Sequence, residues 1–161
     1  MIDNIIAILI EKGWDTKTRS AQSRLLRDAL RERLAREVRL NLAVWDLCKG
    51  KSSQKDIADL LSMEALGSLC SLNLPLRVIL DDVSLPLKAK ALLKGENRKA
   101  LIDARFKRWS ASIVSEVDLV ERSWHRMHVL KSRKNVDGEV GNLDYLFHLL
   151  RALEIALKHG K

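Results

Sequence analysis

Four acidic and histidine side chains, spaced three or four residues apart, form the group in this sequence best suited to metal chemistry. They are Asp118, Glu121, His125 and His128. At about 100° per residue, a helix places them on one flank, and zinc and iron accept such carboxylate and imidazole ligands. One helix rarely closes a metal site alone, although Asp144 and His148 can supply ligands from a second helix. We therefore favour a solvated ridge and expect neither a metal nor another cofactor.

The same stretch contains an arginine and a histidine separated by five residues, in Arg122-Ser-Trp-His-Arg-Met-His128. This spacing resembles the R-x4–6-H motif of the HEPN family, small all-helical ribonucleases that usually act as dimers and cut RNA without a metal. The resemblance covers seven residues. It implies that Arg122 stabilises charge, that His128 moves protons at the ribose 2′-hydroxyl, and that the two face a cleft at a dimer interface.

Three polar residues interrupt the apolar side of an arginine-rich segment nearer the start of the chain. Arg33, Glu37 and Asn41 recur at every fourth position, on the same helical side as Leu30 and Leu34. Because burying an unpaired charge is strongly unfavourable, these side chains need partners. We predict an interior polar file, which either pairs internally or forms an oligomer interface. In the ribonuclease alternative, Glu37 instead assists by orienting Arg122.

Clusters of basic residues are candidates for contacting nucleic acid or another anionic partner. Three arginines share a ridge of the arginine-rich helix: Arg24, Arg27 and Arg31. A second cluster lies towards the end of a later helix: Arg126, Lys131, Arg133 and Lys134. A third flanks Gly95: Lys88, Lys90, Lys94, Arg98 and Lys99. Such clusters suffice for salt-sensitive contacts with phosphates, although cations near a helix C-terminus also have a purely structural role.

The spacing of apolar residues indicates that all these candidates lie on helices. It predicts two long helices, over about 16–48 and 97–131, and a C-terminal helix over about 142–159, joined by short connecting helices. Trp109 and Trp124 lie on the apolar stripe of the second long helix, where we expect them in the core. The sequence has no useful run of alternating strand pattern. We therefore predict an all-α, elongated antiparallel bundle that forms a single domain over residues 1–161.

Composition limits the function and the compartment. The 161 residues carry a formal net charge of +8, which suits an anionic partner. The apolar run at residues 2–10 is too short to cross a bilayer and lacks the basic flank of a signal peptide. The sequence has only two cysteines, Cys48 and Cys70, and both have apolar neighbours. We expect a cytoplasmic, reduced protein without an integral membrane segment.

Recognisable nucleotide-binding and hydrolase motifs are missing from the sequence. We therefore expect a non-enzymatic helical-bundle subunit that acts through homo-oligomerisation or within a larger assembly. Its arginine-rich faces would contact RNA, DNA or an acidic protein. The alternative is a HEPN-like, metal-independent ribonuclease that uses Arg122 and His128. A third reading, as a peripheral membrane protein, relies on the apolar run at residues 2–10 as an interfacial anchor.

Overall fold

The computed structural model describes residues 21–71, 76–80, 83–94, 104–132 and 140–159. Within them, the regular structure is helical apart from one isolated bridge, which confirms the predicted all-α class. The helices are α1 (Ala21–Cys48), α2 (Gln54–Leu60), α3 (Glu64–Cys70), α4 (Leu76–Ile79), α5 (Leu87–Lys94), α6 (Ala104–Ala111), α7 (Glu116–Ser132) and α8 (Val140–His159). The apolar run at residues 2–10 and the predicted start of the first long helix lie outside the described residues.

Helix α8, the predicted C-terminal helix, forms the centre of the bundle. It packs against α1, α5 and α7, and most of its side chains between Leu143 and Leu157 are buried. A helix that is apolar on nearly every side needs neighbours all around it, and these three helices supply them. None of the described helices is both long enough and apolar enough to span a bilayer.

Helices α1 and α8 run antiparallel. Near the end of α1, Trp45 stacks on Phe147 in the first half of α8, with ring centroids 4.2 Å apart. Near the start of α1, Asp28 lines a surface groove together with Leu157, in the last turn of α8. The two helices therefore lie side by side along most of the length of α8.

The single long helix predicted over 97–131 is wrong, because the chain breaks between Ala111 and Glu116. A reciprocal cap begins α7: the Asp118 amide donates to Ser115 Oγ at 3.2 Å, and Asp118 Oδ2 accepts from the Ser115 amide at 3.1 Å. The break also pairs with the chain before α5, where the Glu116 amide donates to the Val83 carbonyl at 3.0 Å. The apolar stripe continues across this break, which hides it from a search for helical periodicity.

The two tryptophans of that stripe lie at the edge of the core rather than within it. Trp109 and Trp124 are both half-buried. Trp109 packs beside the rings of Phe106 and Tyr145, at centroid distances of 5.7 and 6.2 Å. The fully buried aromatic side chains belong instead to α8, where Tyr145 and Phe147 occupy the centre.

Candidate functional site

A cavity of about 380 Å³ lies where the end of α3 meets the break between α6 and α7. Its polar wall belongs to α7 and includes Glu121, Arg122 and His125. Cys70 at the end of α3 and Ser112 in the break also line it. This cavity is the place in the described structure where the predicted catalytic arginine meets other groups capable of chemistry.

The cavity brings Arg122 together with His125 rather than with the predicted partner, His128. One guanidinium nitrogen of Arg122 donates to Ser112 Oγ at 3.3 Å, which directs the arginine towards the break. His128 lies further along α7, is exposed, and stacks on Trp124 with ring centroids 5.5 Å apart. Six residues of helix turn His128 by about 120° from Arg122, so the two point in different directions. Within one chain, the motif residues do not share a site.

Among the described residues, the side chains considered as metal ligands do not form a common site. Asp118 caps the start of α7 by accepting hydrogen bonds from the amides of Val114 and Ser115. His148 is buried on α8, and His125 and His128 are exposed on α7. Across the described ranges, no group of three or more histidine, cysteine or acidic side chains is arranged to hold a metal ion.

Cys70 lines the cavity as an unreactive thiol. Burial, together with a smaller effect of the negative charge of Glu121, raises the pKa of this thiol to about 12. Both causes disfavour the thiolate, which is the nucleophilic form of cysteine. The cavity therefore has no activated sulfur nucleophile at neutral pH.

We expect Cys70 to react slowly with iodoacetamide near pH 8. In a Cys48→Ser variant, Cys70 is the only remaining cysteine, and its raised pKa leaves little thiolate to react. Alkylation followed by mass spectrometry should be more than about tenfold slower than that of free cysteine under the same conditions. Labelling of the native protein at the rate of free cysteine would contradict the raised pKa of Cys70. Labelling of the unfolded protein in urea, where the thiol is accessible, is the control.

Glu37 and Asn41 have internal partners in the loop before α3 and in the first turn of α3. Glu37 accepts hydrogen bonds from the Ser62 hydroxyl and from the amides of Ala65 and Leu66, all at 2.9 Å. Asn41 donates to the Ser62 carbonyl and accepts from the Ser62 amide, both at 2.8 Å. A side chain of α1 thus supplies the N-terminal cap that α3 lacks in its own sequence, because Met63 precedes it.

The third member of the predicted polar file lies apart from these two. Arg33 is half-exposed, and its guanidinium is 3.8 Å from the carboxylate of Glu64, which is itself largely in solvent. The interior part of the file therefore consists of Glu37 and Asn41, and both hold the loop that leads into α3. Glu37 is engaged with α3 and not with Arg122.

Arg31 and Arg126, two of the predicted nucleic-acid contacts, have partners within the protein. Arg31 forms an ion pair with Glu116, and both side chains are largely buried. The guanidinium of Arg126 lies over the rings of Phe106 and Tyr145, at 5.4 and 5.8 Å. These two arginines are therefore packed in the bundle rather than presented to a polyanion.

Lys131 is held in a similar way. Its ammonium group donates to the carbonyls of Leu61 at 2.7 Å and Ala58 at 3.0 Å, at the C-terminal end of α2. A cation is stabilising there because it complements the unpaired carbonyls of the helix end. Of the other predicted contacts, Arg24 is exposed and Arg27 half-buried. Arg133 and Lys134 lie outside the described residues.

Helices α5 and α6, which pack against each other, expose charged side chains of one sign only. Neither helix contains an acidic residue. Their exposed basic side chains, here called the α5–α6 basic face, are Lys88, Lys90, Lys94, Lys107 and Arg108. The sequence clusters predicted the three lysines of α5. Lys107 and Arg108 were missed, since they lie next to the lysines of α5 in the fold only because α6 packs on α5.

Comparisons of the chain with protein-family models, with curated proteins and with solved structures found no match. The case for a function therefore rests on two features of the bundle, the cavity beside Arg122 and the α5–α6 basic face.

Proposed function

We propose that the protein is a non-enzymatic helical-bundle subunit that binds nucleic acid through the α5–α6 basic face. The observation that carries this proposal is that two packed helices expose five cations and contain no acidic residue. Cations on one surface add their potentials, and binding to a phosphate backbone requires little more than such a surface. A cytoplasmic location accords with the two free cysteines.

The arginine-rich helix α1 is less suited to a polyanion. Its exposed Arg36 pairs with Glu32 at 2.7 Å, and Asp46 lies exposed near its end. Arg31 is committed to Glu116. Charges of both signs therefore alternate along α1, whereas α5 and α6 present one sign. We therefore assign the proposed nucleic-acid contact to the lysines of α5 rather than to the arginines of α1.

The binding proposal is tested with a labelled single-stranded RNA in EDTA, run on native gels over a range of salt concentrations. We expect a shift that weakens steeply with salt. The variant with Lys88, Lys90 and Lys94 all changed to Gln should bind at least about tenfold more weakly. Its salt slope should fall by about one for each lysine that contacts a phosphate. The matched control changes Lys51, Lys55 and Lys158 to Gln, which removes equal charge elsewhere.

Three outcomes would overturn the proposal. The absence of a salt-sensitive shift removes the proposed activity altogether. An equal loss in the control variant means that net charge, and not the α5–α6 basic face, governs binding. Cleavage of the RNA in EDTA, lost in Arg122→Ala, would replace the binding subunit with a ribonuclease, and comparison of His125→Ala with His128→Ala would then show which histidine takes part.

A further inference from the structure

The outward face of α1 carries apolar side chains that the bundle leaves uncovered. Leu40 is 55% exposed and Leu47 is 71% exposed, and Ala43 between them is exposed as well. These residues recur at intervals of three and four, as the residues of a helix–helix contact do. On the opposite side of the same turns, Val38 and Trp45 are buried in the core.

A pair of opposite charges follows one flank of this apolar stripe. Arg39 and Asp46 are both exposed and lie seven residues apart, so they project from the same side of α1. Leu40 and Leu47 are also seven apart and project from the other side of Ala43. The outward face therefore has an apolar flank, a charged flank and a small residue between them.

We propose that this face binds a second copy of the chain, with α1 packed antiparallel against α1 about a twofold axis at Ala43. Along the helix axis, Arg39 lies about 6 Å before Ala43, and Asp46 about 4.5 Å after it. A twofold axis perpendicular to the plane of the two helices reverses the direction of the partner helix. The charged flanks of the two copies then face each other, and so do their apolar flanks. The axis therefore places Arg39 opposite the partner's Asp46, and Leu40 opposite the partner's Leu47.

Charge complementarity selects this arrangement over a parallel one. Parallel pairing about a twofold axis along the helices would instead set the charged flank of each copy against the apolar flank of the other, so that neither Arg39 nor Asp46 would face an opposite charge. Asp46 accepts a hydrogen bond from Arg151 at 3.3 Å within its own chain, but its side chain is still 63% exposed. The small side chain of Ala43 permits the helix axes to approach to about 8–10 Å. The interface is separate from the α5–α6 basic face and goes beyond nucleic-acid binding.

The experiment uses sedimentation velocity over a range of protein concentrations, without nucleic acid. We expect the unaltered chain to associate reversibly into dimers. Arg39→Asp alone and Asp46→Arg alone should each dissociate at least about tenfold more readily, because each places like charges opposite one another twice. An equimolar mixture of the two variants should associate again, since every facing pair is then of opposite sign. The double variant Arg39→Asp/Asp46→Arg should also associate.

The apolar flank is tested in the same assay with Leu40→Ser/Leu47→Ser, which should abolish association. Its matched control is Leu60→Ser/Leu87→Ser, two other exposed leucines, which should leave it unchanged. Because the substituted side chains are exposed, circular dichroism should show unaltered helix content.

A chain that stays monomeric at every concentration overturns the proposal. A dimer that the single charge reversals do not weaken, or a mixture of the two variants that fails to associate, overturns it as well. RNA binding by the Arg39→Asp variant is scored separately, so that failure of either proposal is visible without the other.

Discussion

Replacing Glu37 with alanine is expected to lower the free energy of unfolding by about 3–5 kcal/mol. The substitution removes the acceptor for two buried amides, those of Ala65 and Leu66, and for the Ser62 hydroxyl. Each donor left without a partner in the interior costs about 1–3 kcal/mol. Urea denaturation followed by circular dichroism measures the loss as a shift of the midpoint.

The matched control for Glu37→Ala is Glu32→Ala, five residues earlier on the same helix. Glu32 is exposed and pairs with Arg36 across the helix surface, so its loss should cost less than about 1 kcal/mol. If the two alanine variants prove equally stable, Glu37 does not cap α3 in solution. A variant that keeps its stability but no longer associates would place Glu37 at an interface instead.

Replacing Glu116 with alanine should destabilise the protein by about 3–5 kcal/mol, because it leaves the charge of Arg31 in the interior without its carboxylate. The side chain of Arg31 is 11% exposed and that of Glu116 is 4% exposed, so water cannot take over the role of the lost partner. The same urea titration gives the value, with thermal melting as a second measurement.

The double variant Arg31→Met/Glu116→Leu distinguishes a buried ion pair from simple loss of packing. Replacing both charges with apolar side chains of similar size is often neutral or stabilising, so this variant should recover most of the loss seen in Glu116→Ala. Arg36→Met, on the exposed side of α1, is the control for removal of an arginine. A double variant no more stable than Glu116→Ala would contradict the account.

The sequence predicts which side of a helix faces inward, but not which segment meets it there. Helical periodicity places Glu37 and Asn41 on the apolar side of α1, and the cost of an unpaired buried charge requires that they have partners. Their partners are backbone groups more than twenty residues away, and the spacing of residues along one helix contains no information about them. For the same reason, the spacing of residues along α1 does not reveal that Glu116 is the partner of Arg31.

The error over residues 97–131 has a different cause. Ser115 and Asp118 form a capping pattern that is visible in the sequence. Ile113 and Val117, on either side of it, nevertheless continue the apolar stripe into the core. Two consecutive helices that both contact α8 thus repeat the periodicity of one long helix. Periodicity therefore located the buried face correctly and the end of the helix wrongly.

The two charged side chains that hold α2 and α3 also bear on the order in which the chain folds. Each of these helices has seven residues, too few for a helix to persist alone in water. Lys131 of α7 satisfies the last carbonyls of α2, and Glu37 of α1 satisfies the first amides of α3. Since both partners are distant in sequence, we infer that α2 and α3 become helical only after α1 and α7 have come together. The amides of α2 and α3 should then exchange before those of α1 and α7, an order that native-state hydrogen exchange measures.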